Sequence, residues 1–438
     1  MPRRSLTIAL VLAATAAASL QSQQTVPPAS PDALPLAPGR YAGVASCVNS
    51  GCHGSTTPLQ TNRVLQNEYY TWLNEDRHAK AYNVLFNAKS IGIVRNMRLK
   101  GKAFEESICL DCHATNVPKR SVAGHVDVED GIQCETCHGP AGGWRDEHTQ
   151  AGWTHEQSVA RGMIDLRRIS ARGVVCLSCH MGNREKTVDH ELIAAGHPQL
   201  AFELDNYTET MPPHWNPGKQ SHGVAAWAGG QVIALRESLE NLSHHARGRK
   251  WPEFSALSCD TCHHSLKGSE WRQARGWSDR AGLPAWSPEH WAVVRLLIAR
   301  SSPATRDQLD PLIDELSRRV SRMNDPTRVA ETADGARQIV ESAIAGVERL
   351  DWKEPEVRAL MSAIAGDEAF LRRADVHTAE QVALSLDVLS SALTRRKPSL
   401  IRGPLKKAID ALFAEVADRP SFDPARFVEK LEAVKAAM

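Results

Sequence analysis

Ten cysteines, arranged as five pairs each followed at once by a histidine, constrain this chain of 438 residues more than any other feature. The sets are Cys47/Cys52/His53, Cys109/Cys112/His113, Cys134/Cys137/His138, Cys176/Cys179/His180 and Cys259/Cys262/His263, and no cysteine is left over. Cysteines three residues apart lie close to one face of a helical turn, so their thiols reach the two vinyl groups of a single porphyrin, and the histidine next in line offers its imidazole to the iron. Four sets have the form C-x-x-C-H. The first, Cys47-Val-Asn-Ser-Gly-Cys52-His53, has a longer loop, in which Ser50-Gly51 would form the bulge that brings Cys52 back into range.

Two other chemistries use paired cysteines. Disulfides suit an exported chain but give no reason for a histidine after every pair, and Cys47–Cys52 is the one place where a local bridge is an alternative. Structural zinc takes C-x-x-C pairs two at a time, and five is an odd number. The expected cofactors are therefore five covalently attached haem c groups. Composition agrees: aromatic residues make up only 5% of the chain, and five porphyrins would supply flat apolar surface that side chains do not. Lys+Arg (52) nearly balances Asp+Glu (51), which excludes the electrostatic footprint of a nucleic-acid binder and any strong preference for a polyanion.

The N-terminus reads as a Sec-type signal peptide over residues 1–22: basic Arg3-Arg4, an apolar run from Leu6 to Leu20, then polar Gln21. That run is short for a bilayer span, so a retained N-terminal anchor is the weaker alternative and the mature chain is expected to be periplasmic or otherwise extracytoplasmic, not integral to a membrane. Residues 23–40 form a flexible leader. Residues 41–275 hold every cysteine and 16 of the 18 histidines and mark a haem-binding domain. From residue 280 to 438 the pattern becomes helical: Leu309, Leu312, Ile313, Leu316, Val320 and Met323 share one helix face, as do Ile339, Ala343, Val347 and Leu350, and Leu405, Ile409, Leu412 and Val416. Asn324-Asp325-Pro326 and Arg402-Gly403-Pro404 separate these stripes. The fold class expected is mainly α, a multihaem domain with little regular strand followed by a C-terminal helical bundle that carries no visible chemistry.

Each iron has a sixth position, and its occupant separates carriers from catalysts. Candidates for a second histidine ligand are His78 in a helix-like segment, His148 after the third motif, His190 and His197 seven residues apart, His214 in Met211-Pro-Pro-His-Trp215, and His264 beside the proximal His263. On a continuous helix His190 and His197 would face the same way about 10 Å apart and serve two neighbouring haems. His125, His155, His222, His244 and His245 are surplus, and Met97, Met163 and Met211 are weaker alternatives with no distinguishing context.

The stretches Asp130 to Pro140 around the third motif, Cys176 to Gly182, Asp189 to Pro198 and Phe254 to His264 carry a likeness. Through them the region 41–275 resembles the cytochrome c-554 family of multihaem cytochromes. The resemblance implies a mostly helical haem domain, haems packed in close pairs, two histidines on most irons with one iron five-coordinate in some cases, and electron transfer linked in some members to oxidation of nitrogen compounds. This chain departs from the family's namesake in offering five haems rather than four, in its longer first motif and in its added C-terminal helices.

Electron transfer between redox partner proteins is the leading expectation. The alternative is an oxidoreductase acting on nitrite, hydroxylamine or a similar small molecule at one open iron, although no C-x-x-C-K motif of the pentahaem nitrite reductases is present. A third expectation is docking to a partner through the C-terminal helices.

Overall fold

Short helices that begin or end at capping side chains and glycines dominate the first half of the chain, and long amphipathic ones the second. The computed structural model describes residues 39–59, 64–215, 223–263, 283–396 and 403–438. Residues 1–22, expected to be a signal peptide, nearly all of the expected leader, His222 and His264 lie outside the described residues. Among those described no strand forms; the isolated bridges Tyr41–Val122 and Leu257–Trp286 are the only strand-like pairings. The fold is mainly α.

The first half runs through α1 (Glu68–Glu75), α2 (Ala88–Asn96), α3 (Ser107–His113), α4 (Cys134–His138), α5 (His155–Ala160), α6 (Ile169–His180), α7 (His190–Ala194) and α8 (Leu204–Thr210), with short 3-10 turns between some of them. These elements are short for local reasons. Asp76 ends α1 and caps the next turn by accepting from the backbone N–H of His78 at 2.9 Å. Thr154 and Gln157 form a reciprocal capping box at the start of α5. Gly196, at φ +120°, ends the α7 segment in a conformation closed to ordinary side chains.

The second half opens with α9 (Gly223–Arg247) and continues, after residue 283, with α10 (Trp291–Ser301), α11 (Pro303–Arg322), α12 (Pro326–Glu348), α13 (Glu354–Ala365), α14 (Glu368–Leu371), α15 (Val376–Arg396), α16 (Pro404–Ala417) and α17 (Pro424–Ala437). The three apolar stripes face inward: Leu309, Ile313, Leu316 and Val320 are buried, as are Ala343 and Val347, and all of Leu405, Ile409, Leu412 and Val416. Asp325 caps α12 by accepting from the Arg328 N–H, with Pro326 in the first turn, and Gly403-Pro404 opens α16.

One apolar core runs from Leu177 and Phe202 through α9 to Val434, so α9 is shared between the haem-motif helices and the C-terminal ones. The junction is tight because of two glycines. A Cβ on Gly229 would lie 2.8 Å from Ile169 of α6, and one on Gly230 would lie 2.7 Å from Leu204 of α8. This close approach seats α6, which ends in the fourth motif, directly on the bundle. Among the described residues no helix is long and apolar enough to cross a membrane.

Candidate haem-binding site

Three of the regular motifs sit on helical turns, as the spacing requires: the second ends α3, the third forms α4 and the fourth ends α6. The fifth departs from that expectation at Cys262. Its 3-10 turn, Cys259–Thr261, is only three residues long, so Cys262 caps the turn from outside instead of sharing it with Cys259. The Cys262 side chain is exposed, whereas Cys259 is half-buried. His263 N still donates to Cys259 O at 2.7 Å, which keeps the motif histidine in place across the interrupted turn. The longer first motif turns on Asn49, whose backbone oxygen accepts from Cys52 N at 2.8 Å and whose side chain accepts from Gly51 N at 2.9 Å. His53 N then donates to Cys47 O at 3.2 Å, which closes the loop so that the longer spacing ends with both cysteines and the histidine together. No disulfide joins any of the ten cysteines, Cys47 and Cys52 included.

Every motif histidine faces one histidine from elsewhere in the chain. His53 lies against His148 with ring centroids 6.2 Å apart, His78 against His180 at 6.2 Å, His113 against His197 at 6.4 Å, His138 against His214 at 6.4 Å, and His190 against His263 at 6.3 Å. The partners are thus His78, His148, His190, His197 and His214. Two imidazoles on opposite sides of one metal ion, each bonded at about 2.0–2.1 Å with about 1.1 Å more from nitrogen to ring centre, would stand about 6.4 Å apart. Other ring pairs range from 4.4 Å (Phe86–Phe104) to 6.5 Å (Tyr82–Phe104), so what sets the five apart is that each joins one motif histidine to one other histidine at nearly the same separation.

Six of these rings are oriented through Nδ1, which leaves Nε2 free. The Nδ1 atoms bond to carboxylates at His53 (Glu68, 3.0 Å) and His78 (Asp76, 2.9 Å), and to backbone oxygens at His113 (Ala81, 3.1 Å), His148 (Arg145), His197 (Pro198, 2.8 Å) and His214 (Pro212, 3.3 Å). This is the outer-shell pattern that fixes the tautomer of a metal-ligating histidine. Burial, with His214 and His53 nearby, pushes His138 down to about 4; burial beside His78 does the same to His180. Both imidazoles therefore stay neutral with a lone pair to donate. At His78 the Asp76 carboxylate outweighs burial and raises the ring.

His190 and His197 do not share a helix, contrary to the expectation from their spacing. The α7 helix stops at Ala194 and the chain turns at Gly196, so His190 points to His263 and His197 to His113. Met97 and Met163 pack into small apolar clusters instead. Among the surplus histidines, His155 bonds Asp165 at 3.0 Å and the exposed His125 lies 3.8 Å from Asp127.

Sequence reasoning missed the groups that hold the motifs together. Glu135, inside the third motif, is buried and accepts from the backbone N–H groups of Ala42 (2.9 Å), Gly43 (2.7 Å) and Ala141 (2.6 Å), while Gln133 accepts from Val44 N at 3.0 Å. These bonds tie the segment entering the first motif onto the third. The second and fourth motifs meet as well: the Cys112 and Cys179 thiols are close enough that their interaction raises the first and lowers the second, and Lys186 Nζ donates to Cys179 Sγ at 3.3 Å. From the C-terminal helices, Asp375 accepts from Ser258 Oγ at 2.6 Å and buried His377 of α15 brings Nε2 to 3.9 Å from Cys259 Sγ. Burial pulls His377 down, but Cys259, Glu380, Glu289 and Asp375 outweigh it and push the ring up to about 10. No local pattern announces these residues.

Residues 47–139, which include the first three motifs, match the family described as cytochrome c554 and c-prime. The matched segment is similar to the cytochrome c-554 family. A c-type cytochrome role, with covalently bound haem c and electron transfer, goes with that likeness. No curated protein and no solved structure matches the chain. The residues fit the group. Besides the spaced imidazoles, the buried Nε and Nη2 of Arg172, one turn before Cys176, and Nε1 of Trp144, beside His148, have no acceptor in the protein. Propionate oxygens of a haem are acceptors of the kind that such donors need.

Proposed function

We propose that this chain binds five haems c, each attached through one cysteine pair and ligated by two histidines, and that it conducts electrons between redox partners in the periplasm or another extracytoplasmic space. The ligand pairs in this reading are His53/His148, His113/His197, His138/His214, His180/His78 and His263/His190. The observation that carries it is the set of five centroid separations between 6.2 and 6.4 Å, each joining one motif histidine to one other.

When bound, haem iron would supply a one-electron couple, and each motif histidine with its facing partner would hold it so that no small molecule needs to bind. The chain does the rest. Asp76 and Glu68, bonded to Nδ1 of His78 and His53, make those rings more electron-donating and favour the oxidised iron. Phe202 and Tyr207 pack on His180, Phe254 on His190 and Trp215 on His214, which limits ring rotation and water access. Rigid, closed ligation keeps the reorganisation on electron transfer small.

The test combines haem quantitation by pyridine haemochrome with electron paramagnetic resonance of the oxidised protein. The expected outcome is five haems per chain, all low-spin. A high-spin ferric signal worth one haem would overturn closed ligation and favour catalysis on nitrite or hydroxylamine at the open iron.

A further inference from the structure

From Arg77 to Lys102 the chain carries seven basic residues and no aspartate or glutamate, in a protein whose formal net charge is +1. All seven are exposed. Lys80 donates to Asn74 O and Lys102 lies 4.0 Å from Glu105, but Arg77, Lys89, Arg95, Arg98 and Lys100 make no ion pair among the described residues. The C-terminal helices differ: Arg306 pairs with Asp310, Arg319 with Glu315, Arg358 with Glu354 and Lys406 with Asp410, each one helical turn apart. Along this segment positive charge is thus left uncompensated. Glu105, Asp127 and Glu129, close to Tyr82, mark its border.

The same segment exposes large apolar side chains: Val84, Phe86 and Ile91, the last 63% accessible. On α2, Ile93 is buried against Leu192 and Ala195, so Ile91 lies on the opposite face, turned away from the histidine pairs. An apolar centre within a charged surround is the anatomy of a small protein interface.

This segment also touches two of the histidine pairs. His78, opposite His180, belongs to it, and Ala81 O bonds Nδ1 of His113, opposite His197. The basic segment thus supports two of the ligand pairs directly.

We infer that residues 77–102 form the docking surface for an acidic electron-transfer protein, which exchanges electrons with the haems of the second and fourth motifs. The inference rests on the electron-transfer reading above. Charge complementarity selects the partner: steering by a patch of one sign raises association rates by about 10- to 1,000-fold at low salt, and a transient redox complex needs only a small interface. An anionic membrane would also attract the charge, but it would not call for two ligand pairs supported by the same segment.

The experiment is stopped-flow reduction of the haem-loaded protein by a reduced plant-type ferredoxin, an acidic low-potential donor, and separately by photoreduced neutral lumiflavin. The variants are the triple Lys89→Glu, Arg95→Glu, Lys100→Glu and a control triple of equal charge change on the bundle, Arg322→Glu, Arg349→Glu, Lys407→Glu. The unaltered protein should react with ferredoxin at a rate that falls with salt. The first triple should be slower by about tenfold or more at low salt with a flattened salt dependence, and the control should stay within about twofold. Lumiflavin should reduce all three proteins alike. Equal slowing in both triples, or none in the first, would overturn the assignment. So would sedimentation with phosphatidylserine vesicles that the first triple abolishes while its ferredoxin rate is unchanged, because the surface would then belong to a membrane. Failure of lumiflavin to reduce the haems would strike the electron-transfer reading itself.

Discussion

Residues 39–215 and residues 283–438 are both helical, yet different forces hold them. The later region shares in one continuous core with fully buried Leu309, Leu316, Leu360, Met361, Ile364 and Phe427. Each such side chain contributes about 1.5–3 kcal/mol by leaving water. Apart from Leu177, Phe202 and Leu204, which join that core, the earlier region has small separate clusters, such as Tyr82, Leu85, Ala103, Leu110 and Ala114, or Ala42, Ala141 and Trp144. Its order rests on polar ties, among them Glu135, Gln133, Asp76 and Glu68, and on histidines brought together from distant points of the sequence. The difference teaches that a chain can hand part of its core to a cofactor. Five porphyrins, each gripping two separate segments, would serve the first region both as apolar interior and as cross-links.

The strongest way to break that comparison is to withhold haem attachment. Chain produced without haem maturation should lose structure in residues 39–215 and keep the bundle, so trypsin should leave a fragment containing residues 283–438, identified by mass spectrometry. If the two regions resist equally, the first does not depend on its cofactors. The converse substitution is Phe427→Ala. It opens a cavity in α17 packing and should cost about 3–5 kcal/mol. Thermal unfolding followed by far-ultraviolet circular dichroism should report that loss at temperatures where the haem absorption bands remain unchanged.

A smaller effect sharpens the polar side of the comparison. Asp76 is buried and orients His78 through Nδ1, so Asp76→Asn should weaken that axial bond by about 10- to 100-fold, the usual cost of losing an outer-shell partner. The reduced variant should take up carbon monoxide at one haem, where the unaltered protein takes up none. Absence of uptake would make Asp76 a capping residue for the turn at Arg77–Lys80 and nothing more.

The bundle was legible in the sequence because its information is local: apolar stripes recur at helical spacing, and Asp325-Pro326 and Gly403-Pro404 open the helices after them. The cysteine pairs with their histidines were legible because thioether attachment demands a fixed local geometry. Even there, the spacing of Cys259 and Cys262 did not reveal that their turn stops one residue short of the second thiol. The pairing of His53 with His148, or of His180 with His78, was not legible at all. Each pair is assembled by tertiary packing across long separations, and nothing in the local spacing encodes it. The helix expected to carry His190 and His197 failed at Gly196, where the turn chemistry outweighed the seven-residue spacing. Asp375 and His377 escaped notice because they reach the fifth motif only after α9, α10 and α15 have packed, in a region whose stripes suggested structure alone.

The smallest effect is also the one whose pH dependence has a definite sign. Glu415 on α16, with a side chain 7% exposed, accepts from Arg426 Nε at 3.1 Å, Lys430 Nζ at 2.9 Å and Asp423 N at 3.3 Å, all on or entering α17. Burial alone would raise its carboxyl, but the Arg426 and Lys430 cations outweigh burial and lower it. A carboxyl with a lower value folded than unfolded binds fewer protons when folded, so its stabilisation is complete above the unfolded value of about 4.3 and is lost as pH falls through the folded one. Arg426 and Lys430 keep partial access to water, so Glu415→Gln should cost only about 1 kcal/mol near pH 7. The variant and the unaltered protein should then converge at a pH below the folded value, where both carry a neutral side chain at this position. Chemical denaturation at the two pH values measures this. An equal gap at both would mean that Glu415 acts through shape and hydrogen bonding rather than charge, and that the bundle, unlike the region ahead of it, owes nothing to its buried ion pairs.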